Sequence, residues 1–518
     1  MKRRFLARIL AFLIAISILP ITAFAEDTGT IFTVDGIRYR VLDSTQKTVE
    51  VIHSTSDHAV SNIPDSTYTG DVVIPATVSN NSEEYRVIGI DARAFLCAKI
   101  TSISLPEGLE YIDGAAFASS TLTSAIIPAT VTRLGGGDNN TAVFWGVGNA
   151  ACDITSITFA AGSKLETIAD GAFQGCDSLN SLEIPAGVVD LGLDSIAQDG
   201  ARNLGALNGW SNAKNVSFAS GSPFENIAGV LYQGDKLIVA LDDQLQTVTV
   251  RDGTTEVGDA AFYMCTKLSS VNLPEGLKTI GDEAFNFAPN LGAHIFPGMP
   301  DNIRPVGADP ANILDQINIP SSVTIIGDNF LKGAVKKDGT SVVIMQGNVP
   351  PTFGTGVFEG AKNEGYNGLK IYYPRDAADQ YEQALGHFIP DNAEGGQDQN
   401  LDYGLSLQNA SIYMENSTIF TAIVPEGASL TVSSNNPTVA TAEASGNTIT
   451  VTGVSAGTAT ITASITLNNI TLITDTCTVT VTAQPVTPDP DPEPEPTPDP
   501  EPSDPGSSSG GSTSVRRY

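Results

Sequence analysis

Apolar and polar positions through the middle of the chain follow one repeating template. With Leu268 as position 0, Val271, Leu273, Pro274, Leu277, Ile280 and Phe285 fall at +3, +5, +6, +9, +12 and +17, and Leu291 restarts the count at +23. Ile100, Ile103, Leu105, Pro106, Leu109, Ile112 and Phe117 repeat it, as do Leu122, Ala125, Ile127, Pro128, Val131 and Leu134. Further copies start at Leu179 and Leu314, a copy at Ile154 lacks the proline, and a partial one begins at Val72. Residues +3 and +5 alternate inward on a short strand. Proline at +6 ends that strand because it has no N–H for the ladder. The apolar residues at +9, +12 and +17 bring the chain back beneath it. One coil cannot bury its apolar face, so the period predicts a stacked solenoid with a parallel sheet along one side.

Interruptions and small residues refine this picture. Segments 132–149, 187–215 and 297–312 break the template and are expected to project from the stack. Trp145 and Trp210 lie in the first two; each ring either covers its own loop or forms an aromatic contact patch for a partner. Cys97, Cys176 and Cys265 each precede a position 0 by three residues, where other coils carry Ser119, Ala151, Ala288 and Ala311. Small side chains throughout predict a tight interior slot holding free thiols. Cys152 lies one residue off that slot, one coil before Cys176. Strands stacked about 4.8 Å apart would allow these two to bridge, and the sequence leaves their pairing open.

The run Ala172-Phe173-Gln174-Gly175-Cys176-Asp177-Ser178-Leu179-Asn180-Ser181-Leu182-Glu183-Ile184-Pro185 resembles the BspA-type (Treponema pallidum-type) leucine-rich repeat, and Ala261-Phe262-Tyr263-Met264-Cys265-Thr266-Lys267-Leu268 matches it too. The resemblance covers residues 30–390. It implies an N-terminal hairpin at Asp35-Gly36-Ile37-Arg38-Tyr39, an inserted hairpin at 229–238, and a closing cap at Ile371-Tyr372-Tyr373-Pro374 with Tyr381. It also implies a surface protein that adheres to host matrix or to other cells.

Residues 403–482 change to period-2 alternation, as in Thr448-Ile449-Thr450-Val451-Thr452 and Thr478-Val479-Thr480-Val481-Thr482, which predicts a small β-sandwich. Ser433-Ser434-Asn435-Asn436-Pro437-Thr438-Val439-Ala440 and Gly453-Val454-Ser455-Ala456-Gly457-Thr458 resemble the bacterial Ig-like domain of group 2. The usual Trp is replaced around Thr431 and Val432, which thins that core, and Cys477 has no partner for an intersheet disulfide. From Gln484 the chain turns to Pro-Asp, Pro-Glu and then Ser/Gly, with ten prolines between residues 485 and 505, an extended spacer reaching about 60 Å. No sortase signal, anchor helix or S-layer repeat follows in the sequence. Release of the protein and an anchor beyond Tyr518 both stay open.

At the other end, Lys2, Arg3, Arg4 and Arg8, an apolar run at 9–19 and Ala23-Phe24-Ala25 read as a secretory signal. That run is too short to span a membrane, and no second one exists, so no membrane insertion of the mature chain is expected. The division is therefore 1–25 signal peptide, 26–400 repeat solenoid with hairpin insertions, 401–483 Ig-like domain and 484–518 linker. The fold class is mainly β.

Charge narrows the partners. Of 518 residues, 58 are acidic and 27 basic, giving a net charge of −31. No Lys or Arg occurs between residues 375 and 516, a stretch holding 18 of the acids. Such a chain lacks the clustered cations that nucleic-acid backbones or anionic lipids require. His53, His58, His294 and His387 are dispersed, with His294 on an inward +3 position, so neither a His-rich metal site nor a catalytic base is expected. Gly506-Ser507-Ser508-Ser509-Gly510 mimics a nucleophile elbow without its strand and helix, and Gly146-Val147-Gly148 mimics a dinucleotide loop without its βαβ unit. No catalytic, cofactor-binding or metal residue is assigned, no cofactor is expected, and the partner-binding residues are unknown. The expected function is a non-catalytic, secreted or wall-associated bacterial protein binding an extracellular protein or glycan. The alternatives are a structural component of the cell envelope and, less favoured, a carbohydrate-active enzyme.

Overall fold

The computed structural model describes residues 29–55, 65–136, 142–145, 152–193, 204–263, 265, 267–286, 314–331, 341–357, 370–385 and 399–484. The signal segment, the linker, His58, His294 and His387 lie outside these residues. The chain divides into two compact units, residues 1–404 and 405–518. Among the described residues no helix is long and apolar enough to cross a membrane.

The first unit opens with the antiparallel strands Ile31–Val34, Ile37–Asp43 and Thr48–Val51. Asp35 and Gly36 take φ of 49° and 81°, the double left-handed turn whose twist matches that of the flanking strands. From Thr48–Val51 the sheet continues in parallel through Glu83–Ile90, Tyr111–Ile112, Arg133–Leu134 and Thr167–Ile168. These two-residue strands fall at position +12, or at +14 in the copy that starts at Ile154. Ile112, Leu134 and Ile168 are buried, while the residue before each looks outward. The sequence template predicted one ladder; each coil makes two. Position +12 was read as part of a turn because two residues carry no visible alternation.

The expected ladder is the longer-stranded one. Thr69–Val73 pairs with Lys99–Ser104, Ser124–Ile127 with Ser156–Phe159, and Leu182–Ile184 with Val216–Phe218. A six-stranded parallel sheet then runs from Thr247–Thr249 through Ser270–Asn272, Gln316–Ile319, Val342–Met345 and Lys370–Pro374 to Gln399–Tyr403. Pro128, Pro185 and Pro320 directly follow strand ends, as their missing N–H requires.

A second meander, Phe224–Ile227, Val230–Gln233 and Lys236–Ala240, starts a second short-strand ladder through Glu256–Val257, Thr279–Ile280, Ile325–Ile326 and Thr352–Phe353. Its alternation serves two cores. Leu231 and Val239 pack with the preceding coils, and Val230, Tyr232 and Leu237 with the following ones. The hairpin expected from the resemblance thus splices two stacks.

Phenylalanines form a spine through each stack. Ring centroids are 5.3 Å apart for Phe95 and Phe117, 5.5 Å for Phe117 and Phe144, and 6.4 Å for Phe144 and Phe173, all stacked. Phe262 and Phe285 repeat this at 5.0 Å. Phe144 comes from segment 132–149, and Trp210, tilted on Phe173 at 6.2 Å, from 187–215. Parts of both interruptions therefore lie inside the stack, contrary to expectation. The Phe-like position survived while the flanking template was lost.

The slot predicted for cysteine also shifts. Cys176 and Cys265 are fully buried, but Cys97 and Ser119 are only half-buried, and both have positive φ. The interior position is three residues after the spine Phe: Ala98, Ser120, Cys176 and Cys265 occupy it. The first two coils are one residue shorter before position 0, so counting back from the leucine misplaces their small residue.

Lys370–Pro374, the helix Ala378–Leu385 and the last strand Gln399–Tyr403 close the stack, with Tyr373 stacked on Tyr381 at 5.1 Å. The Tyr403 hydroxyl donates to the Met345 carbonyl at 2.9 Å, so residues 401–403 belong to the solenoid unit and not to the Ig-like module. The second unit is a sandwich. One sheet holds Ala410–Tyr413, Ile470–Thr482, Gly457–Leu467 and Ser429–Ser434; the other holds Ser417–Thr421, Thr448–Gly453 and Ala440–Ser445. Ile449, Val451, Ile461, Ile465 and Val479 fill its core, with Cys477 buried beside Ile461.

Candidate binding face

Alternation on the longer strands puts one residue in two outside. Thr101 and Ser104, Ser124 and Ile126, Ser156 and Thr158, Glu183, Ser217, Thr247 and Thr249, and Asn272 are all exposed. Hydroxyl and amide groups dominate this face, with Asp71, Lys99 and Glu183 its few charges. Asp71 accepts from Thr101 at 2.7 Å and Ser102 at 2.6 Å, and these hydrogen bonds hold its carboxyl below the usual range. Val73 and Ile126 add isolated apolar spots, 65% and 67% exposed. The face ends where Val342, Ile344 and Tyr372 become buried.

Ser156–Phe159 and Leu182–Ile184 belong to separate sheets, and a groove of about 460 Å³ opens there. Thr158, Phe159, Ser163, Glu183, Pro185 and Ala219 line it. A second groove of about 370 Å³ lies beside the inserted hairpin, between Phe218, Phe224, Tyr232 and Arg251. The Arg251 guanidinium sits 4.6 Å over the Tyr232 ring and pairs with Glu225 at 2.6 Å.

The short-strand side carries the densest charge. Arg40 pairs with Glu50 and, at 2.9 Å, with Asp91; Tyr111 donates to Glu50 at 2.7 Å; Arg133 pairs with Asp113 at 2.6 Å and lies 5.1 Å over the Tyr111 ring. Glu50, Asp91 and Asp113 bring carboxylate oxygens within 4.8 Å of one another. Two guanidinium groups and a phenol already satisfy them, so the cluster is built as a cross-coil brace. Burial and the neighbouring Asp91 push the Glu50 carboxyl above its ordinary value despite Arg40.

Nothing of this brace was read from the sequence, although Asp91 and Asp113 share one position after the short strand. The tryptophan patch does not form: Trp210 is buried and its indole donates to the Leu179 carbonyl at 2.9 Å, and Trp145 is half-buried. His53 is buried, and its Nδ1 accepts from the Thr55 amide at 3.2 Å.

The BspA-type leucine-rich repeat model matches in six copies, over residues 76–139, 149–228 and 241–361. The chain belongs to this family. The group 2 bacterial Ig-like domain matches residues 409–469 of the BspA-type chain. No curated protein matches it. Among solved structures it is similar to the pneumococcal vaccine antigen PcpA, at 17% identity over 72% of this chain and 98% of that one, TM-score 0.41. A leucine-rich repeat protein of Bacteroides ovatus shares 20% over 66% and 70%, TM-score 0.38. A leucine-rich cell surface protein of Faecalibacterium prausnitzii shares 15% over 69% and 98%, TM-score 0.32. Both matched families are repeat and Ig-like modules.

Proposed function

We propose that this BspA-type protein is a non-catalytic, cell-surface or secreted adhesin that binds an extracellular protein or glycan through the outward face of its longer strands. The observation that carries this reading is the face itself: strand after strand offers exposed Ser, Thr and Asn, and stacking brings them onto one surface. Fixed hydroxyls and amides on a rigid ladder can hydrogen-bond a polar partner at little ordering cost. The net charge of −31 disfavours polyanionic partners. The Ig-like unit and the Pro-rich tail serve as stalk.

The test is binding of the full chain to arrays of matrix proteins, mucins and neutral glycans. Thr158→Arg or Asn272→Arg should cut binding at least tenfold, and Ser178→Arg, exposed on a turn, should not. Binding that is indifferent to all three substitutions would remove the face from consideration. Binding only to the producer's own wall would favour a structural envelope role.

A further inference from the structure

We propose that Cys152 and Cys176 are a redox site that closes into a disulfide joining two consecutive coils. Both residues are buried, and their sulfur atoms lie 2.7 Å apart. That separation is well inside ordinary contact between two thiols and close to the bonded length of about 2.05 Å. Cys176 occupies the interior slot after the spine Phe173, and its S–H also faces the Phe144 carbonyl at 2.9 Å. Cys152 reaches the same point from the preceding coil, the one that contributes Phe144 to the spine. The slot that other coils fill with Ala98 or Ser120 is here shared by two sulfurs.

The two thiols are unequal. Contact with the Cys176 thiol draws Cys152 below the usual thiol range, while contact with Cys152, together with burial, pushes Cys176 up. Exchange starts from one thiolate, taken as Cys152; starting from Cys176 gives the same product. The oxidant is a low-molecular-weight or protein disulfide. Cys152 Sγ attacks one of its sulfurs, forming a mixed disulfide and expelling one thiolate. Cys176 then loses its proton and attacks Cys152 Sγ, expelling the second thiolate. Two protein thiols and one oxidant disulfide give one protein disulfide and two oxidant thiols, with two electrons passing to the oxidant. Because both sulfurs are shielded in the folded stack, closure belongs to folding or to transient opening of this coil. A chain bearing the export leader read at residues 1–25 would fold where such oxidants are present.

Peptide mapping tests this on the full chain, refolded in a mixture of reduced and oxidised glutathione. Free thiols are alkylated in denaturant without reductant, and trypsin, cutting after Lys164, separates the two cysteines. The expected result is a linked peptide pair containing Cys152 and Cys176, two hydrogens lighter than the separate thiols, with Cys97, Cys265 and Cys477 alkylated. The thermal midpoint should fall on adding reductant, and Cys152→Ser/Cys176→Ser should lose that dependence. Alkylation of both Cys152 and Cys176, or linkage of either to another cysteine, overturns the proposal.

Discussion

The amide of Asp328 donates to the carboxylate of Asp282, one coil earlier, at 2.8 Å. Asp282 bonds Asp259 in the same way at 2.9 Å, and Thr355 bonds Asp328 at 2.5 Å. Each donor follows a glycine, and the reason is space. A β-carbon on Gly327 would lie 2.3 Å from the Asp282 carboxylate and 2.6 Å from its backbone nitrogen. The carboxylate can rotate away, but the backbone cannot. Gly327→Ala should therefore destabilise the solenoid by about 3 kcal/mol, as overpacking against fixed atoms does. Asp282→Ala, which loses one exposed hydrogen bond, should cost about 1 kcal/mol. Urea unfolding of the two variants checks the order; equal midpoints would mean that the glycine is not held by this contact.

Phe144 lies in an interruption of the repeat yet sits between Phe117 and Phe173 at stacking distance. Phe144→Ala should cost about 3–5 kcal/mol through the cavity left in a close-packed stack. Trp145→Ala, at a half-buried position, should cost clearly less. Neighbouring coils support only each other, so the loss should be local. Hydrogen exchange should quicken around residues 112–179 and not in the Ig-like unit. A response spread evenly over both units would contradict a nearest-neighbour stack.

The coils and the sandwich were legible because both rest on apolar periodicity, and each period leaves several residues as witnesses. Val271, Leu277 and Ile280 are buried at +3, +9 and +12. The second ladder was not legible, because a two-residue strand such as Thr279–Ile280 shows no alternation. The spine was hidden where Phe144 and Trp210 replaced the repeat's own Ala-Phe pair. The outward face was invisible for a deeper reason. Its Ser and Thr residues are what any solvated strand carries, and only stacking turns them into one surface. The Glu50 brace joins residues from four strands and from the turns after Glu83–Ile90 and Tyr111–Ile112, 40 to 133, a spacing no local motif encodes.

That brace should make stability respond to pH in a defined direction. Burial and Asp91 raise the Glu50 carboxyl above its ordinary 4.5. The folded state then binds this proton more tightly than the unfolded chain. Its favourable contribution is present below the unfolded value and is lost as pH rises through the folded one. Glu50→Gln keeps the side-chain shape and one oxygen for Arg40, turns an amide NH2 toward the Tyr111 hydroxyl, which can accept from it, and removes the titration. The stability of the variant relative to the parent should therefore increase between pH 4 and pH 7. Paired urea curves at the two pH values measure it; a difference that does not change, or that moves the other way, would show that the ion pair with Arg40 outweighs burial.

Two residues before the spine position the backbone turns left-handed in coil after coil: Arg93 at φ 61°, Ala115 at 56°, Ala260 at 51°, Glu283 at 54° and, where Leu331 takes the place of the phenylalanine, Asn329 at 53°. At Gly171, ahead of Phe173, glycine fills this position, with φ 65°. A side chain there costs roughly 1–2 kcal/mol against the right-handed region, since its Cβ crowds the following carbonyl. The turn persists because the residue's N–H is tied to the next coil; Glu283 donates to the Asp328 carbonyl at 2.7 Å and Ala260 to the Asp282 carbonyl at 2.7 Å. Glu283→Gly keeps that bond and removes the crowding, while glycine loses more chain entropy on folding, roughly 0.5–1 kcal/mol. The balance should be a stabilisation of up to about 1 kcal/mol. Glu283→Val, β-branched in a left-handed turn, should move the other way. Unfolding midpoints for the pair decide it: if glycine and valine shift the midpoint in the same direction, the conformation at this turn is not what the two substitutions report.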